Sequence, residues 1–274
     1  MKLTRLVSYS SVALLGACLF MVSIVQATPI TGPHYKPKWS QGPDMDTGTD
    51  TLSMHRSFGP VVADDFQSDG RVIAGFHWWG SYFQNAGQGL ERDVVFEISL
   101  HTDCPASDPS CNNGGPYPYS TPSNDPNYFS AIVTVEEDYF GTTSLGEDVY
   151  EYWIKTEGLT GPDFWNGTWN EVAGEIYWLD VAWAAGQFGT SVSDDVWGWH
   201  DSSEQYLDNA VQTTAGGGAN PHIGPWDMLG GDKAFEVWTV PEPSMLALLI
   251  IGFAGATLGS KRKVTRNPGS LAVT

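Results

Sequence analysis

Hydrophobic and polar residues alternate in several short segments of the chain. In the segment DVVFEISLH, residues 93–101, every second side chain from Val94 to Leu100 is apolar. The same period of two, with many β-branched and aromatic residues, recurs at 71–79, 129–137, 149–157, 175–183 and 233–240. This pattern is typical of β-strands that place one face on a hydrophobic core. The sequence therefore predicts a strand at each of these segments.

Turn-forming residues separate the predicted strands, and no helical periodicity stands out between the two ends of the chain. Clusters of Gly, Pro, Asn and Asp follow the strands, for example CNNGGPYP and TAGGGANPHIGP. Strands without intervening helices pair in antiparallel order and pack as layers. We therefore expect an all-β fold, an antiparallel β-sandwich of jelly-roll-like form, as one domain over 28–240. Residues 28–60, rich in Pro, Gly, Asp and Thr, are expected to form an irregular lead-in.

The N-terminal segment has the three parts of a secretory signal peptide. Lys2 and Arg5 precede an apolar stretch at about 12–25, and the segment Val25-Gln26-Ala27 places small side chains at the positions that a signal peptidase requires. We expect cleavage after Ala27, so that residues 1–27 leave the mature protein.

The C-terminal segment combines a Pro-Glu-Pro box, an apolar run and a basic cluster. Pro241, Glu242 and Pro243 precede the run Met245–Leu258, and the basic cluster follows. The run is short for a membrane-spanning helix, which needs ~20 residues. One interpretation is an ordinary C-terminal membrane anchor with the basic cluster on the cytoplasmic side. The basic cluster consists of Lys261, Arg262 and Lys263.

The order of these three parts resembles the PEP-CTERM sorting signal of Gram-negative bacteria. The resemblance implies that residues 241–263 insert transiently into the inner membrane, with 264–274 as a cytoplasmic tail. It further implies that an exosortase, a membrane-embedded cysteine protease, recognises and processes this segment. The mature protein would then reach the cell surface or the extracellular space, usually in organisms that make exopolysaccharide.

The chain is strongly acidic, with a formal net charge of −19. Its field repels phosphate backbones, so nucleic acid is excluded as a partner. The simplest explanation is a solvated acidic surface. The alternative is that some carboxylates bind Ca²⁺, which prefers oxygen ligands. Asp64 and Asp65, at the entrance to a strand, are the candidates for such a metal site, and no other cofactor is indicated.

Two cysteines, Cys104 and Cys111, lie seven positions apart in a segment rich in Pro, Ser, Asn and Gly. An exported chain matures in an oxidising compartment. We therefore expect a local disulfide between them rather than a metal site, because no further Cys or His clusters nearby.

Twelve tryptophans are the most prominent candidates for ligand binding. Exposed indoles on a β-sandwich can stack on sugar rings, whereas buried ones belong to the core. Trp183 alternates with apolar residues and is expected in the core. The candidates for a ligand platform are the adjacent pair Trp78 and Trp79 and the pair Trp197 and Trp199 in the segment WGWH.

Catalytic motifs do not emerge from the sequence. Glycoside hydrolysis needs two carboxylates that face each other across a cleft. Glu151, Glu157, Glu175 and Asp180 supply such groups, but their spacing in sequence pairs none of them. A nucleophile elbow and a phosphate loop are both missing. We therefore expect no catalytic residue and a protein that is not an enzyme.

The region between the two terminal segments resembles an uncharacterised family of exported β-domains, common in planctomycete and other environmental bacteria. The blocks that carry the resemblance are KWSQGPD, VVADDF, IAGFHWWGSY, FEISLHTDCPAS, IYWLDVAW, VWGWHDS, GPWDML and DKAFEVWT. The resemblance implies an all-β fold and an extracellular location, and it carries no catalytic residues.

These observations predict an exported surface or extracellular-matrix protein with a structural or adhesive role, in contact with exopolysaccharide. The alternative is a carbohydrate-binding module that uses exposed tryptophans and bound Ca²⁺. A secreted glycoside hydrolase is the third hypothesis. Besides polysaccharide, the expected partners are the signal peptidase and the exosortase that act during export.

Overall fold

Every regular element in the described part of the chain is a β-strand. The computed structural model describes residues 36–55, 59–83, 94–108, 110, 117–123, 129–156, 171–184, 196–213 and 224–239. Within these ranges the strands are β1 (Lys36–Gln41), β2 (Asp50–Leu52), β3 (Val62–Gln67), β4 (Ile73–Tyr82), β5 (Val95–Cys104), β6 (Thr121–Pro122), β7 (Phe129–Thr134), β8 (Glu136–Thr142), β9 (Asp148–Lys155), β10 (Ile176–Trp183), β11 (Trp197–His200), β12 (Val211–Thr213), β13 (Trp226–Met228) and β14 (Phe235–Thr239). No helix in these ranges is long and apolar enough to cross a membrane.

The strands form two sheets in which every strand pairing is antiparallel. The first sheet runs β1-β14-β4-β11-β2, with β9 on the opposite edge of β4 and β8 beyond it. The second sheet runs β13-β12-β3-β10-β5-β6, and β7 also pairs with β5. The prediction of an all-β, antiparallel sandwich is confirmed.

The main hydrophobic core lies between the two sheets. It takes Phe76 and Trp78 from β4 in the first sheet and Phe96 and Ile98 from β5 in the second. Aromatic rings fill much of this space: the Trp78 and Phe96 rings meet edge to face, with centroids 5.2 Å apart. Such pairs combine a large buried apolar area with a favourable electrostatic geometry, and they hold the two layers together.

In its described residues, 36–55 and 59–60, the lead-in contains two strands, contrary to the expectation of irregular structure over 28–60. β1 pairs with β14 and β2 pairs with β11, so both belong to the first sheet. The sequence KPKWSQ of β1 has no clean alternation, because as an edge strand it has one sheet neighbour and little buried apolar surface. The segment 129–137 also differs from the prediction, since it divides into β7 and β8, which belong to different sheets.

The second sheet is buried on its polar face as well as on its apolar one. Glu97, Ser99 and His101 alternate with the core residues of β5, yet each is at most 2% exposed. A second small cluster of apolar side chains, Trp178 and Trp226 among them, lies on this face. Alternation in the sequence therefore marks two buried faces of different polarity rather than one buried and one solvated face.

Candidate functional site

The four tryptophans predicted as a ligand platform are buried. Trp78, Trp197 and Trp199 are 0% exposed and belong to the main core. Trp79 points to the opposite face of β4, as expected for adjacent strand residues, but it is covered there by Met45 and neighbouring apolar side chains and is 5% exposed. The prediction is wrong for these residues, because none offers an open indole face for a sugar ring to stack on.

The remaining described tryptophans follow the same trend. Trp183 is 1% exposed in the main core, which confirms its predicted position. Trp178, Trp226 and Trp238 are also buried. Only Trp39 and Trp153, among the described tryptophans, are half-buried, and Trp165 and Trp169 lie outside the described residues.

Asp64 faces the main core and has its oxygens occupied by N–H donors. It stands opposite Leu179 of β10, a core residue. Its Oδ2 accepts hydrogen bonds from Gln41 Nε2 at 3.0 Å and from Lys233 N at 2.6 Å. Its Oδ1 accepts one from the Asp65 backbone N–H at 2.9 Å. Asp64 therefore joins the two sheets through hydrogen bonds and is not available as a metal ligand.

Asp65 faces the opposite side of β3. It stands opposite Trp178, which belongs to the second cluster. Successive residues of a strand point to opposite faces, so Asp64 and Asp65 do not share one ion. The predicted pairing of these two residues in a single metal site is therefore wrong, although Asp65 itself lies among other carboxylates.

Asp65 belongs to a carboxylate cluster with Asp208 and Asp232. Its Oδ2 accepts a hydrogen bond from Asp208 N at 3.4 Å, and Asp232 Oδ2 accepts one from Tyr206 N at 2.6 Å. Asp65 is 0% exposed and Asp232 is 1% exposed. These three residues come from β3, from the segment before β12 and from the segment before β14.

Burial and mutual repulsion raise the pKa values in and beside this cluster. Burial, followed by the charge of Asp64, raises the pKa of Asp65 to about 9. Burial, with repulsion from Asp208 among the smaller causes, raises the pKa of Asp232 to about 6. The pKa of Asp64 is also raised, by burial and then by the charge of Asp232. Strongly perturbed carboxylates of this kind are typical of functional sites and of cation sites.

A second cluster surrounds His77 on the outer face of the first sheet. His77 Nε2 lies 3.1 Å from Glu151 Oε2, and Nδ1 lies 3.3 Å from Glu236 Oε2. The imidazole ring packs against Trp79 at a centroid distance of 4.0 Å and against Trp238 at 5.2 Å. This arrangement places two hydrogen-bonding carboxylates beside the buried indoles of Trp79 and Trp238.

The two carboxylates stabilise the charged form of His77. Burial alone would lower the pKa of His77, but hydrogen bonds to Glu151 and Glu236 outweigh it and raise that pKa. Burial would raise the pKa of Glu236, but its hydrogen bonds with His77, Trp238 and Ser40 outweigh burial and lower that pKa. The side chains remain partly accessible, at 12% for His77, 27% for Glu151 and 22% for Glu236.

A third group of polar side chains is entirely internal. Asp180 on β10 accepts hydrogen bonds from the backbone N–H and hydroxyl of Ser99, and its Oδ2 lies 2.9 Å from His101 Nε2. His101 Nδ1 lies 3.0 Å from the Ser123 carbonyl oxygen. All four residues are at most 6% exposed. With the carboxylate in the centre and no access from solvent, this network joins strands and does not present a nucleophile.

Two of the carboxylates considered for glycoside hydrolysis, Asp180 and Glu151, lie on different sheets. Asp180 lies on the buried outer face of the second sheet, and Glu151 lies on the outer face of the first. Glu175 is exposed just before β10, and Glu157 lies outside the described residues.

The predicted sorting and cleavage residues lie outside the described part of the chain. Cys104 is buried at the end of β5, whereas Cys111 is outside, so the disulfide stays a prediction. The same holds for Ala27, Pro241, Glu242, Pro243, Lys261, Arg262 and Lys263.

Asp208, Asp232 and His77 were not singled out by sequence reasoning. The carboxylates come from segments more than 140 positions away from Asp65, and acidic residues are common throughout this chain. A partial signal exists for His77, because it alternates with core residues of β4 and so must lie on the outer face.

The fold and the site together define an all-β domain, an antiparallel sandwich with a buried carboxylate cluster. The chain belongs to the family described as domain of unknown function (DUF7901), whose model matches residues 37–238. That range begins in β1 and ends in β14, and so it coincides with the described sandwich. No curated protein and no solved structure matches the chain.

Proposed function

We propose that the protein is an exported, exosortase-sorted component of the cell surface or extracellular matrix, with a non-catalytic structural or adhesive role. The N-terminal signal pattern and the resemblance of residues 241–263 to a PEP-CTERM signal support export. The predicted partners are the signal peptidase and the exosortase during export and exopolysaccharide afterwards.

The burial of the tryptophans carries the structural part of this proposal. Eight of the ten tryptophans in the described residues are buried. Large aromatics inside a sandwich contribute stability rather than recognition, since each removes 150–250 Å² (roughly) from water. A stable fold suits a matrix component, which has to persist outside the cell and performs no catalysis.

A carbohydrate-binding module is the second candidate, and the His77 cluster favours it. Trp153 is half-buried beside His77, and its indole N–H donates to Glu136 Oε2 at 3.2 Å. Exposed Phe140 extends the aromatic surface by packing on Trp79, with ring centroids 5.8 Å apart. The surface therefore offers aromatic edges and carboxylate acceptors to a neutral or amine-bearing sugar.

Mass spectrometry of the protein from cells that contain an exosortase tests the sorting part. We expect a mature form that begins at Thr28, ends near Val240 and is found in the matrix fraction. A variant with Pro241→Ala and Pro243→Ala should stay in the membrane fraction. A matrix form that retains Lys261 and Lys263 would contradict tail removal.

Polysaccharide pull-down with the purified full-length protein separates the two candidates. The variants Trp153→Ala and Glu236→Gln alter the outer face around His77 without removing a core residue. Loss of retention in both would favour the carbohydrate-binding module. Retention that is equal in the wild type and in both variants would place any polysaccharide contact elsewhere and favour the structural role.

A further inference from the structure

Two buried carboxylates converge on one short segment of backbone, residues 206–210. Asp232 Oδ2 accepts a hydrogen bond from Tyr206 N, and Asp65 Oδ2 accepts one from Asp208 N. Tyr206 and Asp208 are two residues apart, a separation of at most about 7 Å along the chain. Since both carboxylates bond to this stretch, they are neighbours in space despite their distance in sequence.

One oxygen of each carboxylate is buried without a hydrogen-bond partner. Asp65 Oδ1 and Asp232 Oδ1 both have this property, in residues that are 0% and 1% exposed, although the backbone N–H of Ala210 lies near enough to Asp232 to act against the rise of its pKa. Buried polar atoms in folded proteins nearly always have a partner, and a carboxylate oxygen is costly to leave without one. Two such oxygens beside the same backbone segment point to a ligand that both would contact.

An electropositive partner fits these two oxygens. Lys233 follows Asp232 in sequence, but its ammonium donates to Thr51 Oγ1 at 2.6 Å and to Asp201. Asp208 adds a third negative charge that acts on both Asp65 and Asp232. When these three carboxylates are ionised, negative charge is concentrated around buried side chains. A bound cation would neutralise that charge.

We propose that Asp65 and Asp232 bind a calcium ion against residues 206–210. Ca²⁺ accepts six to eight oxygen ligands from carboxylates, backbone carbonyls and water in flexible geometry. Among the described residues, no three Asp, Glu, His or Cys side chains stand at the spacing of metal ligands. The proposed site therefore uses two carboxylates, with backbone oxygens and water completing the shell and with Asp208 contributing charge.

Calcium explains the site better than other common metal ions do. Zn²⁺ favours His and Cys ligands, which the cluster lacks, and Mg²⁺ requires near-ideal octahedral geometry. The inference does not depend on the proposed structural or adhesive role, although an exported protein would meet calcium at concentrations that fill weak sites. Extracellular calcium modules have Kd values on the order of 0.1–1 mM.

Calorimetric titration and thermal unfolding of the full-length protein, first treated with EDTA, test the proposal. We expect CaCl₂ to bind once per chain with Kd on the order of 0.1–1 mM and to raise Tm, with MgCl₂ clearly weaker. Asp65→Asn and Asp232→Asn should each reduce calcium affinity at least tenfold and remove the rise in Tm. Asp65→Asn in EDTA should unfold at or above the wild-type temperature, because the amide needs no proton from solvent on folding, whereas Asp65, with its pKa of about 9, takes one up.

Two control variants separate calcium binding from general destabilisation. Asp64→Asn changes the neighbouring carboxylate, which faces the core and accepts hydrogen bonds from Gln41 and Lys233. This variant should have a lower Tm than the wild type but should keep the rise in Tm on addition of calcium. Asp138→Asn, on exposed β8, should change neither quantity. No rise in Tm with about 10 mM CaCl₂, an equal rise in Asp65→Asn, or an equal rise with MgCl₂ would overturn the proposal.

Discussion

At the scale of single residues, the internal carboxylates connect the stability of this protein to pH. The pKa of Asp65 is raised from 3.8 to about 9 in the folded chain, so the native state holds this proton more tightly than the unfolded state. Its contribution to stability is complete below 3.8 and is lost as pH rises through about 9. The pKa of Asp232 is raised to about 6, so this residue also contributes stability that is lost as the pH rises, over a narrower pH range than for Asp65.

We therefore predict that, in EDTA, the free energy of unfolding falls as the pH rises from about 5 to about 9. Urea denaturation at several pH values measures this slope. Asp65→Asn should flatten it, because the amide does not titrate. An unchanged slope in the variant would show that other groups control the pH dependence.

Gln41 is a second residue whose contacts decide stability. Its side-chain N–H₂ donates to Asp64 Oδ2 and to the Lys233 carbonyl oxygen, both at 3.0 Å, and the residue is fully buried. Gln41→Ala removes both hydrogen bonds: Asp64 Oδ2 keeps the one from Lys233 N, whereas the Lys233 carbonyl oxygen loses its Gln41 donor, and a buried polar group deprived of a partner costs roughly 1–3 kcal/mol. Urea denaturation should show a loss of that order. Gln67→Ala, which removes a hydrogen bond to Gly174 at the surface, is the control and should change stability by less than about 0.5 kcal/mol.

At the scale of elements, the pairing of β4 with β11 requires a glycine. A Cβ atom at Gly80 would overlap the ring of Trp197 and the carbonyl oxygen of Gly198. Gly80→Ala should therefore separate the strands or displace the buried indole, at a cost of about 1–3 kcal/mol. Thermal unfolding measures the effect, and Gly42→Ala, where a Cβ meets nothing within 4 Å, is the matched control. Equal Tm values for the two variants would contradict this account.

Sequence alternation located five of the strands that pack on the core, and it missed the core strands β3 and β11 as well as the edge strands β1 and β2. β4, β5, β9, β10 and β14 all overlap predicted segments, because each places apolar residues on a core every second position. β1 and β2 are short or polar, and they are ordered by hydrogen bonds to β14 and β11. Local pattern carries no information about such pairing, which depends on residues almost 200 positions away.

The candidate site was predictable only in part, for the same reason. The pair Asp64 and Asp65 drew attention as adjacent acids, yet strand geometry sends them to opposite faces. Asp208 and Asp232 come close to Asp65 only in the folded chain, and no sequence pattern distinguishes them from the other acidic residues. For the tryptophans, composition indicated a binding surface, but the polar face of the second sheet is covered, and so even indoles off the main core are buried.

At the scale of the whole molecule, the excess of negative charge opposes compaction. With a formal net charge of −19, the folded chain repels itself more than the unfolded chain does. Salt screens this repulsion, with a Debye length of about 10 Å at 0.1 M. We predict that NaCl raises Tm modestly between about 10 and 300 mM in EDTA. A fall in Tm would show that ion pairs, such as those of Lys38 with Glu171 and of Lys233 with Asp201, outweigh the repulsion. The measurement also provides the ionic-strength baseline for calcium.

The position of β14 in its sheet fixes an order of events during synthesis. This strand comes last among the described strands, yet it lies between β1 and β4, and Thr239 at its end stands opposite Lys36 at the start of β1. Until residues 235–239 leave the ribosome or a translocation channel, β1 has no sheet neighbour and β4 has an open edge. The first sheet therefore closes in a single late step that joins both ends of the domain, and a chain stopped before residue 235 keeps two exposed strand edges open to aggregation.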